Sequence, residues 1–168
     1  GFCENRALVY YLFANAAGVK TRLVDVAGKF GPLKLTGHYF CESWDDDQMR
    51  WFLVDPMSSV TEVRNPGGRL LGTLDIKKLF DTDMISGCTA LYYDPDMKAL
   101  ERHAIEAYDK GNRGYLTGSV VIAYKFGYPR NRSYSTIRHF LTSPTLLYAP
   151  FALPNLYRIK LVCLFGFF

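Results

Sequence analysis

Thr36-Gly37-His38-Tyr39-Phe40-Cys41-Glu42-Ser43-Trp44, then Asp45-Asp46-Asp47, then Arg50-Trp51-Phe52-Leu53-Val54 stopped by Asp55-Pro56, is the stretch that decides the fold. Both flanking runs are rich in aromatic and β-branched residues, which suit a pleated, half-buried surface. The three aspartates between them read as a tight, solvated turn, and so short a connection favours an antiparallel hairpin. His38 opens one strand of that hairpin and Asp55 closes the other. In an antiparallel pair the start of one strand lies beside the end of its partner, so the two side chains are expected as neighbours on one face.

Outward from the hairpin, Val19 to Val26 reads as a preceding strand, separated from it by a loop with Gly28, Gly31 and Pro32. Before that strand, Cys3 to Ala17 has no proline or internal glycine and is rich in Ala and Leu, as a helix requires. Cys3, Ala7, Tyr10, Tyr11 and Ala14 fall on one side of it. Leu8, Val9, Leu12 and Phe13 make the other sides apolar too, so the helix is expected to be buried. Gly18 suits the position just past its end. The middle of the chain reads as loop-rich: Asn65-Pro66-Gly67-Gly68 as a turn, Leu74 to Phe80 as a short helix. Asp94-Pro95 has the form of a helix start, with Met97, Leu100, Ala104, Ile105 and Tyr108 as an apolar stripe and Gly111 as the stop. Val120 to Phe126 reads as a strand. The expected fold class is therefore α+β, with a buried helix packed on an antiparallel β-sheet.

The 168 residues suffice for one domain with a core. They are 49% apolar and 15% aromatic, which excludes a disordered chain. Four cysteines without CxxC pairing argue against a disulfide scaffold or a zinc ribbon. A zinc site from Cys3, Cys41 and Cys88 with a histidine lacks ligand spacing, and Asp45 to Asp47 lack the spaced carboxylates of a calcium loop. No cofactor is called for. Charge is uneven. Residues 1–110 carry a net −3, whereas 111–168 hold seven Lys/Arg and no acid, which gives the overall +4. A division is expected near 110: a core over 1–110 and a basic extension over 111–168.

The extension has two open readings, an ordinary cationic surface or a surface for anionic lipid, because aromatics interleave the charges and the chain closes on the apolar run Leu161 to Phe168. That run is either a buried element of a core or the first part of a membrane span. No recognition motif points to nucleic acid. With no initiator Met before Gly1-Phe2-Cys3, the sequence reads as truncated at its start, and the compartment stays open between cytoplasmic and membrane-associated.

Cys3 is the residue with chemical promise. It sits in the first turn of a helix, whose N-terminus carries roughly half a positive charge and favours thiolate. With His38 as base and Asp55 as its orienter, the three form the set a thiol nucleophile needs. Cys41 lies an odd number of residues from His38 and faces away on a regular strand. Cys88 and Cys163 read as packing thiols, and His103 as a solvated residue of the later helix.

Five pieces in order resemble the transglutaminase-like superfamily of papain-type Cys-His-Asp enzymes. They are Gly1-Phe2-Cys3 with Ala7; Ala17-Gly18-Val19 leading to Arg22 and Val24; His38, Phe40 and Glu42; Trp51; and Val54-Asp55-Pro56. The resemblance covers about residues 1–56. It implies a papain-like core and acyl chemistry on amide bonds of a protein or peptide through a Cys3 thioester, with Cys3, His38 and Asp55 as catalytic residues. Water as acceptor would make a protease or amidase, and an amine a protein-glutamine acyltransferase. Two departures bear on this. Tyr39 replaces a smaller residue after the histidine, and the segment that often supplies an oxyanion donor would precede Gly1, which leaves the Cys3 backbone N–H as donor. The rival expectation is a non-catalytic binding domain that keeps the fold.

Overall fold

The computed structural model describes residues 2–27, 37–94, 96, 98–105, 108, 115–117, 121–125, 146–148 and 154–166. Helix α1 spans Phe2–Ala16. Gly18, at φ +85°, turns the chain out of it, with its N–H on Asn15 O and that of Val19 on Ala14 O. Strands β1 (Thr21–Ala27), β2 (Gly37–Asp45) and β3 (Arg50–Val54) follow. The turn between β2 and β3 is held by Asp45, whose Oδ1 accepts the Gln48 N–H at 2.6 Å.

Strand β4 (Val60–Arg64), helix α2 (Thr73–Asp81), β5 (Thr89–Asp94), β6 (Ala99–Ala104), β7 (Val121–Lys125), β8 (Leu146–Tyr148) and helix α3 (Pro154–Gly166) complete the described elements. They form a five-stranded sheet in the order β3-β2-β1-β7-β8 and a three-stranded sheet β4-β5-β6, both antiparallel. The fold is α+β. Strand β7 comes from the acid-free stretch beyond residue 110, yet it pairs with β1 inside the larger sheet. The step in charge is thus not a break in hydrogen bonding.

The larger sheet has two unlike faces, set by the two-residue alternation of its strands. Tyr39 and Cys41 of β2, Leu23 of β1, and Phe52 and Val54 of β3 meet Ala7, Leu8, Tyr10 and Tyr11 of α1. The opposite face, with Val24, Val26, Phe40, Leu53, Ile122 and Tyr124, packs on α2 and the smaller sheet through Leu71, Ile76, Phe80, Val60, Val63 and Ala90. Leu71 stitches the layers together, donating its N–H to Val63 O and accepting from Leu53 N–H.

Glu42 closes the same face. One oxygen takes the guanidinium of Arg22 at 2.5 and 2.8 Å, and the other takes the Thr73 N–H at 2.6 Å, at the start of α2. Gly72 lies so close that an added Cβ would stand 3.0 Å from Trp51 O and 3.1 Å from Glu42 Oε1.

Three sequence expectations need correction. The helix expected from Asp94 to Gly111 is not formed where the stretch is described: Asp94 and Ala99–Ala104 are strand, while Met97 and Gly111 lie outside the described residues. β5 and β6 form a hairpin there, and Leu100, assigned to the apolar stripe, is 60% exposed. Asp94 explains the misreading: its carboxylate accepts the Asp96 N–H at 2.8 Å, the local bond that caps a helix and equally well makes a turn. His103 accordingly lies on a strand, where it meets Glu101 at 3.1 Å. The loop-rich middle contains β4. Finally, α1 is covered on one side only. Its uniformly apolar composition suggested full burial, but Val9, Leu12 and Phe13 are exposed.

Candidate active site

Cys3, His38 and Asp55 converge where the first turn of α1 meets the start of β2 and the end of β3. The β2–β3 register places Cys41 opposite Val54, so Asp55 lies one step further on and His38 reaches it diagonally. The contact is short: His38 Nε2 to Asp55 Oδ2 is 2.8 Å, with the carboxylate fully buried and His38 6% exposed.

Asp55 is fixed by the turn that follows it. Its Oδ1 accepts the N–H groups of Met57 (3.0 Å) and Ser58 (3.2 Å), and Oδ2 accepts the Ser58 hydroxyl at 2.9 Å. Its backbone exchanges both hydrogen bonds with Val60. Tyr108 is buried near enough to feel the charge of this carboxylate. Burial, and after it the Asp55 charge, push its pKa well above the usual range, so it stays protonated and able to donate.

On the other side of the ring, Cys3 lies close enough for thiol and imidazole to shift each other's pKa. Since Asp55 occupies Nε2, Nδ1 is the nitrogen left for the thiol. Burial disfavours the Cys3 thiolate, but the backbone N–H of Tyr39, the His38 ring and the Glu4 N–H outweigh it, and the thiol pKa is lowered. The His38 pKa is raised: burial opposes the charged ring, and the hydrogen bond and charge of Asp55, then those of Cys3, overcome it. The two shifts favour a thiolate–imidazolium pair. The other thiols differ. Cys41 donates to Ala7 O at 3.2 Å beneath α1, and burial, then Asp55, push it up to about 12. Burial raises Cys88 as well. All four cysteines are free.

Tyr39, the bulky residue after His38, points to the α1 side of the sheet and donates its hydroxyl to Asp25 Oδ2 at 2.6 Å. It therefore stands on the face opposite His38. The partners the sequence did not reveal are Ser58, Tyr108 and Tyr115, whose ring centroid lies 5.2 Å from that of His38. Ser58 carries a local signal, an Asp-Pro-x-Ser turn. Tyr108 and Tyr115 carry none, because only tertiary folding brings them to the site. Among the described residues no group of three or more His, Cys, Asp or Glu is arranged to hold a metal ion. Comparison with models of protein families, with curated proteins and with solved structures finds no match for this chain.

Proposed function

We propose that the chain is the core of a cysteine enzyme of the transglutaminase-like, papain-type class and performs acyl chemistry on amide bonds through a Cys3 thioester. The observation that carries this reading is His38 itself. One ring nitrogen is fixed 2.8 Å from a buried carboxylate, and the ring lies against a thiol of lowered pKa at a helix N-terminus. A structural histidine needs one good partner. A base needs an orienter on one side and a nucleophile on the other.

In the proposed reaction the Cys3 proton resides on His38 Nδ1, and Cys3 Sγ attacks the amide carbon. The carbonyl oxygen gains the negative charge and is received by backbone N–H groups at the start of α1, with that of Cys3 the first candidate. His38 then gives its proton to the leaving amine, which departs and leaves the thioester. A water or a second amine attacks that thioester, with His38 Nδ1 taking the proton and the Cys3 thiolate leaving. Asp55 orients the ring and stabilises the imidazolium.

The experiment pairs a glutamine-containing peptide with a fluorescent amine and follows both ammonia release and amine incorporation, in the native protein and in Cys3→Ala and His38→Gln. Turnover that both variants abolish is the expected result. Turnover unchanged in Cys3→Ala, or no acyl-enzyme on Cys3 by mass spectrometry with any of a panel of amide and glutamine peptides, sinks the proposal in favour of a binding domain.

A further inference from the structure

Ring contacts flank the His38 imidazole. Phe40, two residues along the same strand, lies 5.5 Å away at 47°. Tyr115 lies closer and flatter, 5.2 Å away at 31°, and comes from a distant part of the chain. Its position is not accidental, because the next residue is fixed twice. The Leu116 side chain is 1% exposed and belongs to the main core. The Leu116 carbonyl faces Nζ of Lys77 at 3.5 Å. Lys77 is itself 4% exposed, on the inner side of α2, and pairs with Asp81 at 2.6 Å. A lysine so deeply buried is uncommon and needs acceptors around its ammonium. Here one of them is the backbone that carries Tyr115.

We propose that Tyr115, anchored through Leu116 and the buried Lys77 of α2, is a positioning residue: it covers the His38 imidazole and keeps it turned onto Asp55. The inference rests on the catalytic reading of His38, and it adds a part of the site that the Cys-His-Asp pattern does not contain. The physical reason lies in the His38–Asp55 hydrogen bond. In a dry setting that bond is stronger than in water. Water admitted beside the ring competes for both Nε2 and the carboxylate, and an uncovered imidazole is free to swing about its side-chain bonds. An aromatic ring lying over the imidazole at a 31° tilt limits both, and an electron-rich ring tolerates the imidazolium.

Two measurements on Tyr115→Ala, Tyr115→Phe and Lys77→Met test it. The first is proton NMR of the His38 Nε2–H, identified by its loss in His38→Gln. The native protein is expected to show this proton in slow exchange with water. Tyr115→Phe should keep it, Tyr115→Ala should lose it, and Lys77→Met should broaden it. The second is the alkylation rate of Cys3 at neutral pH. It should fall about tenfold or more in Tyr115→Ala, since misplacing a reacting group by ~1 Å can cost up to roughly a hundredfold, and stay near native in Tyr115→Phe. A slowly exchanging proton that survives Tyr115→Ala overturns the proposal, and an unchanged signal in Lys77→Met removes the anchor from it. Should Tyr115→Ala fail to fold, Tyr115→Leu keeps the apolar bulk, lacks the aromatic face and takes its place. The NMR signal requires no reaction. A protected proton beside an unreactive Cys3 defeats the proposed function alone, and an unprotected one in the native protein defeats the cover alone.

Discussion

Replacing Asp55 by Asn changes one atom of the site, and the structure dictates where that atom goes. Oδ1 accepts two backbone N–H groups, so the amide oxygen must occupy that place. The amide NH2 then takes the position of Oδ2, 2.8 Å from His38 Nε2 and 2.9 Å from Ser58 Oγ. The Ser58 hydroxyl adapts by accepting. His38 Nε2 must accept as well, which moves the ring proton to Nδ1, the side that faces Cys3. The base is then blocked and the charge that stabilised the imidazolium is gone. A hydrogen bond to a charged partner is worth about 1.5–3 kcal/mol, so the thiolate–imidazolium fraction should fall by roughly 10- to 150-fold. The assay is the rate of Cys3 alkylation by iodoacetamide from pH 5 to 9. The native protein should stay reactive well below the ordinary thiol pKa of 9.0, and Asp55→Asn should move the rising limb to higher pH. Stability should follow the same logic. The His38 pKa is raised above its ordinary 6.5. Its contribution is therefore fully present below 6.5 and is lost as pH rises through the folded value. The gap between native and Asp55→Asn should be widest on the acid side of 6.5 and narrow above the folded pKa. Superimposable alkylation profiles for the two proteins would refute the assignment of Asp55 as orienter.

Among the thiols, Cys3 should label first and Cys41 and Cys88 last in folded protein, as peptide mapping after brief alkylation will show; early labelling of Cys88 contradicts the site. Gly72→Ala should destabilise by about 1–3 kcal/mol in urea unfolding, because the Trp51 carbonyl 3.0 Å from the new Cβ is backbone and cannot step aside. Glu42→Gln breaks an ion pair whose carboxylate is 1% exposed and also weakens the bond to the start of α2, so a loss of roughly 3–5 kcal/mol is expected in the same assay. If the basic, acid-free region binds anionic lipid, as we propose from its charge and from the exposed Ile159, Val162 and Phe165 of α3, it should co-sediment with anionic vesicles. Salt should weaken the charge-driven part, which is screened within about 8–10 Å; equal recovery with and without vesicles refutes it. No helix among the described residues is long and apolar enough to cross a membrane.

The parts of the fold legible in the sequence are those whose signals are local. The hairpin of β2 and β3 is rich in aromatic and β-branched residues and has its own turn, and α1 has an uninterrupted helical composition with Gly18 at its end. Their endpoints place Cys3, His38 and Asp55, so the meeting of those three residues was legible with them. The β5–β6 hairpin was not. Ala99 to Ala104 reads Ala-Leu-Glu-Arg-His-Ala, good helix composition, and becomes a strand because β5 offers it a full ladder of partners and Arg102 reaches across to Glu62 and Thr89. Tertiary pairing overrides weak propensity there. The exposed side of α1 misled for the converse reason: apolar periodicity reports which faces could be buried, not which neighbour arrives to bury them.

The same distinction orders the site itself. Cys3, His38 and Asp55 are placed by two local units, a helix N-terminus and a hairpin, and one contact between them. Tyr108 and Tyr115 reach the site only through the packing of α2 and the smaller sheet against the far face of the larger one. That far layer includes Tyr108, near Asp55, and Leu116, next to the ring over His38. A fragment containing only residues 1–56 would therefore hold the whole motif and lack the layer that dries it. The hydrogen bond between His38 and Asp55 would then sit in water, where an exposed ion pair contributes about 0–1 kcal/mol and cannot hold an imidazole against solvent. On this argument the proposed chemistry needs, besides the Cys-His-Asp pattern, the burial that the core on the far face supplies.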